Sequence, residues 1–181
     1  MIAKGILNKE RDQGRIEVFH CGKRFELEGR DAMTWKAGYH NPVDIDAPFS
    51  KLLQKSLIEV TDERASIPAK YWLLSRCIIC SVRGRKKQHK LSEDAKYFLR
   101  WLKRAPLHLT IAELVRIAEL GLYPTKHYTS VSKRQALVEA IYAIDSIKDN
   151  ILEAQMRYSA QLPRVVAAIY ELLQNKHIYL S

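Results

Sequence analysis

Phe25-Glu-Leu-Glu-Gly-Arg-Asp-Ala-Met-Thr-Trp-Lys-Ala-Gly38 passes from strand-like alternation to helical spacing at Gly29. Upstream, Ile16-Glu-Val-Phe-His-Cys21 and Arg24-Phe-Glu-Leu27 flank Gly22-Lys23, and the alternation within each run predicts two half-buried strands joined by a tight turn. Downstream, Ala32, Trp35 and Tyr39 recur at helical spacing, with Gly38 available as the helix stop. A hairpin therefore feeds a helix. Pro48 opens a second short helix with Phe49, Leu52 and Leu53 on one face, and Leu57-Ile-Glu-Val60 returns as a strand-like end. Residues 1–14 close with the polar, turn-prone Asn8-Lys-Glu-Arg-Asp-Gln-Gly14, so only Ile6 and Leu7 are expected to add to a sheet.

The chain has 181 residues, 47% of them hydrophobic, enough for one compact domain or two small ones. Seven glycines, six prolines and no low-complexity tract argue against a disordered chain. The longest apolar stretch, Tyr71-Trp-Leu-Leu-Ser-Arg-Cys-Ile-Ile-Cys-Ser-Val82, is too short for a membrane span and carries Arg76. The first residues lack an apolar signal region, which predicts a cytoplasmic protein without membrane association. Cys21, Cys77 and Cys80 are too few and odd in number for a disulfide framework, so reduced thiols are expected. Cys77-Ile-Ile-Cys80 has the spacing of a metal or redox pair. It lies in an apolar run read as buried helix, with no second Cys or His pair at ligand spacing, and is read as structural.

The formal net charge of +10 is unevenly placed. Residues 1–60 carry ten basic and nine acidic groups, residues 61–134 sixteen and six, and residues 135–181 four and five, so the excess is central. It concentrates in Arg83-Gly-Arg-Lys-Lys-Gln-His-Lys90. Such a run can neutralise phosphates, or it can be a solvated loop between helices, since no aromatic residue interleaves it to stack on bases.

Thr61-Asp-Glu-Arg64 is the best boundary, polar and without apolar anchors. Ser66 and Pro68 start a helix expected to run to about Val82. Ser92 caps the next, which buries Ala95, Phe98, Leu99 and Leu102 and ends at Ala105-Pro106. Thr110 and Glu113 form a capping-box pair for a helix through Leu114, Ile117 and Ala118 that stops at Gly121. Ser132 and Gln135 form another, opening the longest predicted helix, with Leu137, Ile141, Ile144, Ile147, Ile151 and Leu152 on one stripe to about Tyr158. Pro163 starts a last helix with Val166, Ile169 and Leu173 inward, and His177-Ile-Tyr-Leu180 reads as a terminal strand.

Phe25-Glu-Leu-Glu-Gly-Arg-Asp-Ala-Met-Thr-Trp35 and Leu52-Leu-Gln-Lys-Ser-Leu-Ile-Glu59 resemble the hairpin, aromatic-bearing first helix and last helix of the PqqD-like leader-peptide recognition domains of ribosomal peptide modification systems. Between Gly38 and Pro48, where that family usually has another helix, this chain has only Tyr-His-Asn-Pro-Val-Asp-Ile-Asp-Ala. The fold class is α+β: a winged-helix-like module, a hairpin plus short helices, over residues 1–62, then a mainly α-helical part over residues 63–181. The resemblance implies that a precursor's leader peptide is held against the hairpin edge and the last helix of the module, lined by Val18, Phe19, Arg24, Phe25, Leu52, Leu53 and Ser56. The overall layout is similar to accessory subunits of iron-dependent peptide-modifying oxidases, such as those of methanobactin biosynthesis. That implies a partner modifying enzyme which holds the iron, with no cofactor bound by this chain.

No catalytic constellation or metal-ligand set is legible: there is no His-Glu-x-x-His, Gly-rich phosphate loop or nucleophile elbow. His20 beside Cys21 is one mixed pair at the hairpin turn, too few groups for a metal. An independent enzyme is not expected. The alternative is a DNA-binding regulator of winged-helix or helix-turn-helix type, with Arg116 on the second helix and Arg83, Arg85, Lys86, Lys87 and Lys90 on duplex phosphates. Its recognition helix, Ile111-Ala-Glu-Leu-Val-Arg-Ile-Ala-Glu-Leu120, has few groups able to read base edges.

Overall fold

The computed structural model describes residues 1–11, 14–44, 49–61, 66–82, 90–104, 108–130, 134–142 and 149–181. The fold is α+β, with an N-terminal hairpin as the alternation predicts. Strands β3 (Ile16–His20) and β4 (Lys23–Leu27) pair antiparallel, with His20 opposite Lys23 and Ile16 opposite Leu27. The turn is Cys21-Gly22, one residue earlier than expected. Both residues have positive φ, 47° and 76°, the combination that matches the twist of a two-residue hairpin. Gly22 takes the second position at no steric cost, which leaves Lys23 free to join the strand.

The N-terminal residues do more than the polar composition suggested. Strand β1 (Ile2–Ala3) pairs with β5 (Ile58–Glu59), and β2 (Ile6–Glu10) pairs with β3, so the sheet runs β2-β3-β4. Asn8, Lys9 and Glu10 are exposed on the outer strand, where polar side chains cost nothing. Helix α1 (Gly29–Gly38) packs Ala32 and Trp35 into the module. Gly38 does not end it through a left-handed turn. A Cβ at Gly38 would stand 2.5 Å from Met1 Cε and 3.2 Å from the Ala3 nitrogen, so its role is to let β1 approach. Helix α2 (Ser50–Gln54) buries Leu52 but leaves Leu53 exposed, while Pro48 lies outside the described residues.

The expected helix from Ser66 to Val82 is shorter. Ser66 does cap α3 (Ile67–Ser75), its hydroxyl accepting from the Ala69 nitrogen at 3.2 Å. The chain then leaves the helix, and β6 (Ile79–Ser81) pairs with β7 (Ile178–Leu180). Ile78 and Ile79 are β-branched, and the C-terminal strand offers them a ladder: Ile78 and Ser181 exchange backbone hydrogen bonds of 2.7 and 2.9 Å. Cys77 and Cys80 are therefore not on one helix.

Helices α4 (Glu93–Arg104), α5 (Ile111–Glu119), α6 (Lys126–Thr129), α7 (Arg134–Tyr142), α8 (Asp149–Met156) and α9 (Leu162–Gln174) complete the chain. The Thr110–Glu113 capping box is present, and Gly121 closes α5 as expected: its nitrogen bonds the Ala118 carbonyl and the Leu122 nitrogen bonds that of Ile117. Of the stripe expected from Leu137 to Leu152, Leu137, Ile141 and Leu152 are buried and Ile151 is exposed. Ser132, Ile144 and Ile147 lie outside the described residues. Helix α5 is central, packed by α3, α7, α8 and α9, and it buries Ile111, Leu114, Val115 and Ile117 completely.

Buried side chains fall into two clusters, one around Trp35, Val18 and Leu52 and a larger one around α4, α5 and α9. Ile2 of β1 belongs to the larger cluster and Ala3 to the smaller. Across the join, the Gly5 nitrogen donates to the Leu180 carbonyl at 2.6 Å. The buried Lys4 ammonium reaches Glu59 at 3.2 Å and the Arg76 carbonyl at 3.3 Å. The boundary expected at residues 62 and 63 lies outside the described residues. Among those described, no helix is long and apolar enough to cross a membrane.

Candidate functional site

The two-residue turn determines which backbone groups the hairpin offers. His20 and Lys23 close it as a hydrogen-bonded pair, and alternation makes Val18–Phe25 and Ile16–Leu27 hydrogen-bonded pairs as well. The N–H and C=O groups of Arg24 and Glu26 then point away from β3. On the far side of β3 that position is filled by β2, but among the described residues no strand pairs with the outer edge of β4. Among the described residues the hairpin thus has one covered edge and one open edge.

The same alternation divides the residues expected to line a peptide groove. Val18 and Phe25 share the core face, and Val18 and Leu52 are fully buried in the smaller cluster, with Phe25 packed against it half-buried. Phe19 and Arg24 face each other across the strands on the opposite side, both exposed. Leu53 and Ser56 are exposed at and beyond α2, Ser56 with a φ of 53°. The structure thus buries Val18 and Leu52 as core with Phe25 packed half-buried against them, and sets Phe19 and Arg24 on a second surface beside the open edge.

At the end of β4 a cleft of about 160 Å³ is lined by Arg11, Arg15, Ile16, Glu26, Leu27 and Glu28. Arg11 lies 3.4 Å from both Glu17 and Glu26, and Arg15 lies 3.2 Å from Glu28, so both signs of charge meet beside the edge. Asn8 donates to the buried Glu17 carboxylate from β2.

At the turn end, residues far apart in sequence converge. A cleft of about 340 Å³ is lined by Phe19, His20, Cys21 and Gly22 on one side and by Ile78, Cys80, His108, Tyr179 and Ser181 on the other. The Cys21 sulfur is 3.3 Å from His20 Nε2, and the Cys80 sulfur is 3.3 Å from His108 Nδ1. Burial, reinforced by the Lys4 charge, holds the His20 pKa below its ordinary value. Burial raises that of Cys80, partly offset by a hydrogen bond with Tyr179 and increased by the nearby Cys21. The second Cys–His pair is hidden in the sequence, because the apolar run around Cys80 has the look of a helix and His108 follows it by 28 residues. The described residues hold no group of three or more His, Cys, Asp or Glu placed to bind a metal ion.

Of the basic residues expected on nucleic acid, Arg83, Arg85, Lys86 and Lys87 lie outside the described residues, and Lys90 is exposed. Arg116 is on α5 and pairs with Glu119 at 3.2 Å. Helix α5 packs most of its surface against its neighbours and presents Glu113, Arg116 and Glu119 on its outer side, one cation among two acids.

Comparison of the chain with protein-family models, with curated proteins and with solved structures finds no match.

Proposed function

We propose that this chain is a non-catalytic recognition subunit that binds an extended segment of another polypeptide along the outer edge of β4. The observation that carries the reading is the open edge, where Arg24 and Glu26 present paired donors and acceptors to an added strand. Phe19 and Arg24 supply an apolar and a cationic contact above that edge, and the cleft of Arg11, Arg15, Glu26 and Glu28 supplies polar contacts at its end. The PqqD-like resemblance of Phe25 to Trp35 makes the segment the leader of a ribosomally made precursor peptide. The helical part then docks on the enzyme that modifies it. Iron, where that enzyme uses it, belongs to the partner.

The central positive charge gives duplex DNA as the competing ligand, and one experiment separates the two. The tagged protein is recovered from its native host with nuclease present, and bound species are identified by mass spectrometry. A co-purifying enzyme and short peptide are expected, with the peptide then slowing amide exchange at Arg24 and Glu26. Protection that bypasses β4, or partners lost to nuclease, overturns the reading. Glu26→Pro removes one outward donor and leaves the pairing to β3 intact, so it should weaken peptide binding, whereas Phe25→Pro breaks the hairpin itself.

A further inference from the structure

The cleft at the hairpin turn holds two thiols, each with its own imidazole, on opposite walls, one formed by the β3–β4 turn and the other by the β6–β7 ribbon with His108. Cys21 is exposed at the tip of the turn. Its sulfur also approaches the Ser181 hydroxyl at 3.8 Å. Ser181 exchanges hydrogen bonds with Ile78, and Cys80 is paired with Tyr179, so alternation puts Ile78, Cys80, Tyr179 and Ser181 on one face of the β6–β7 ribbon. All four line the cleft, and Cys21 stands over that face. Cys77 is separate: its side chain is buried, donates to the Leu73 carbonyl at 3.3 Å and lines no part of this cleft.

We propose that Cys21 and Cys80 form a thiol–disulfide exchange site, in which Cys21 attacks an incoming small-molecule disulfide and Cys80 resolves the adduct. In the first step His20 Nε2 accepts the Cys21 proton, and the thiolate attacks one sulfur of the disulfide R–S–S–R. The mixed disulfide Cys21–S–S–R forms and RS⁻ leaves. In the second step Cys80 passes its proton toward His108 Nδ1 and attacks the Cys21 sulfur, releasing the second thiolate. Two protein thiols are oxidised and one external disulfide is reduced to two thiols, so no further oxidant is needed. The roles follow from exposure: the accessible thiol attacks and the buried one resolves. The bridge would tie the β3–β4 turn to the β6–β7 ribbon and close the cleft over Phe19 and Ile78.

The test uses the full chain and oxidised glutathione as the disulfide, with acid-quenched samples read by intact mass and peptide mapping. The expected course is a transient glutathione adduct on Cys21 followed by a Cys21–Cys80 bridge. Cys80→Ser should accumulate the Cys21 adduct, Cys21→Ser should form neither species, and Cys77→Ala should behave as wild type. His20→Gln should slow the first adduct several-fold without changing the product. A Cys21 adduct that persists in the wild-type chain, a Cys77–Cys80 bridge, or no reaction at all overturns the proposal. Since the wild-type time course alone gives these outcomes, failure of a variant to fold does not protect it.

Discussion

The indole nitrogen of Trp35 donates to the backbone carbonyl of Lys4 at 2.9 Å, and both groups are buried. This bond fixes α1 to the segment between β1 and β2, and Tyr39 continues the attachment: its ring stacks on Trp35 with centroids 4.3 Å apart and its hydroxyl accepts from the Leu7 nitrogen at 3.0 Å. Trp35→Phe keeps an aromatic ring but leaves the Lys4 carbonyl unsatisfied. The expected cost is about 1–3 kcal/mol, read from the urea midpoint with an unchanged slope.

Gly5 and Gly22 both have positive φ, 98° and 76°, but only one is crowded. A Cβ at Gly5 would stand 2.8 Å from Val18 Cγ1 and 2.9 Å from the Phe19 carbonyl oxygen, whereas at Gly22 nothing lies within 4 Å. Gly22→Ala should therefore cost only the backbone strain, about 1–2 kcal/mol. Gly5→Ala adds a clash with backbone that cannot rotate away, so its midpoint in denaturant should fall clearly below that of the Gly22 variant. Equal midpoints would contradict the close approach of Gly5 to β3.

The elements legible in the sequence are those whose signal is local. The hairpin, the caps at Ser66, Ser92 and Thr110, and the last helix followed by a strand all depend on neighbouring residues, and the structure contains each of them. The misread elements depend on distant partners. Ile79-Cys-Ser81 became a strand because Ile178-Tyr-Leu180 lies beside it, and β1 formed because Ile58-Glu59 pairs with it. The same reason explains the candidate site. His20 beside Cys21 could be read directly, but Cys80 reaches them through the β6–β7 pairing and His108 through the Ile79–Leu109 bridge, and the core burial of Val18 and Leu52 follows from α1 and α2 covering one face of the sheet.

Cys77 gives the fold an alkaline limit. Burial pushes its thiol up to about 12, from an ordinary value of 9.0, with the Lys4 charge acting in the opposite direction. In the unfolded chain the thiol ionises near its ordinary value, so above it the folded state holds a proton that the unfolded state has released. The stabilisation is complete below pH 9.0 and is lost as pH rises through about 12. Cys80, also raised by burial, contributes with the same sign. Stability measured by urea at stepped pH should decline above pH 9.0, and Cys77→Ala should lessen the slope while lowering the plateau.

His20 acts with the opposite sign on the acid side. Its pKa lies below the ordinary 6.5 because the ring is buried and the Lys4 charge is near. Above 6.5 the imidazole is neutral in both folded and unfolded chains, so its full contribution is present there. As pH falls below that value the unfolded chain takes up a proton that the folded ring resists, and stability drops until the folded pKa is passed. His20→Gln should flatten this acid slope. Lys4→Met removes the second cause but also breaks the Lys4–Glu59 pair, so it should flatten the slope only in part and lower stability at every pH. Nuclear magnetic resonance titration of the His20 ring gives the direct check: a folded-state midpoint at or above 6.5 would contradict the burial of this ring against Lys4.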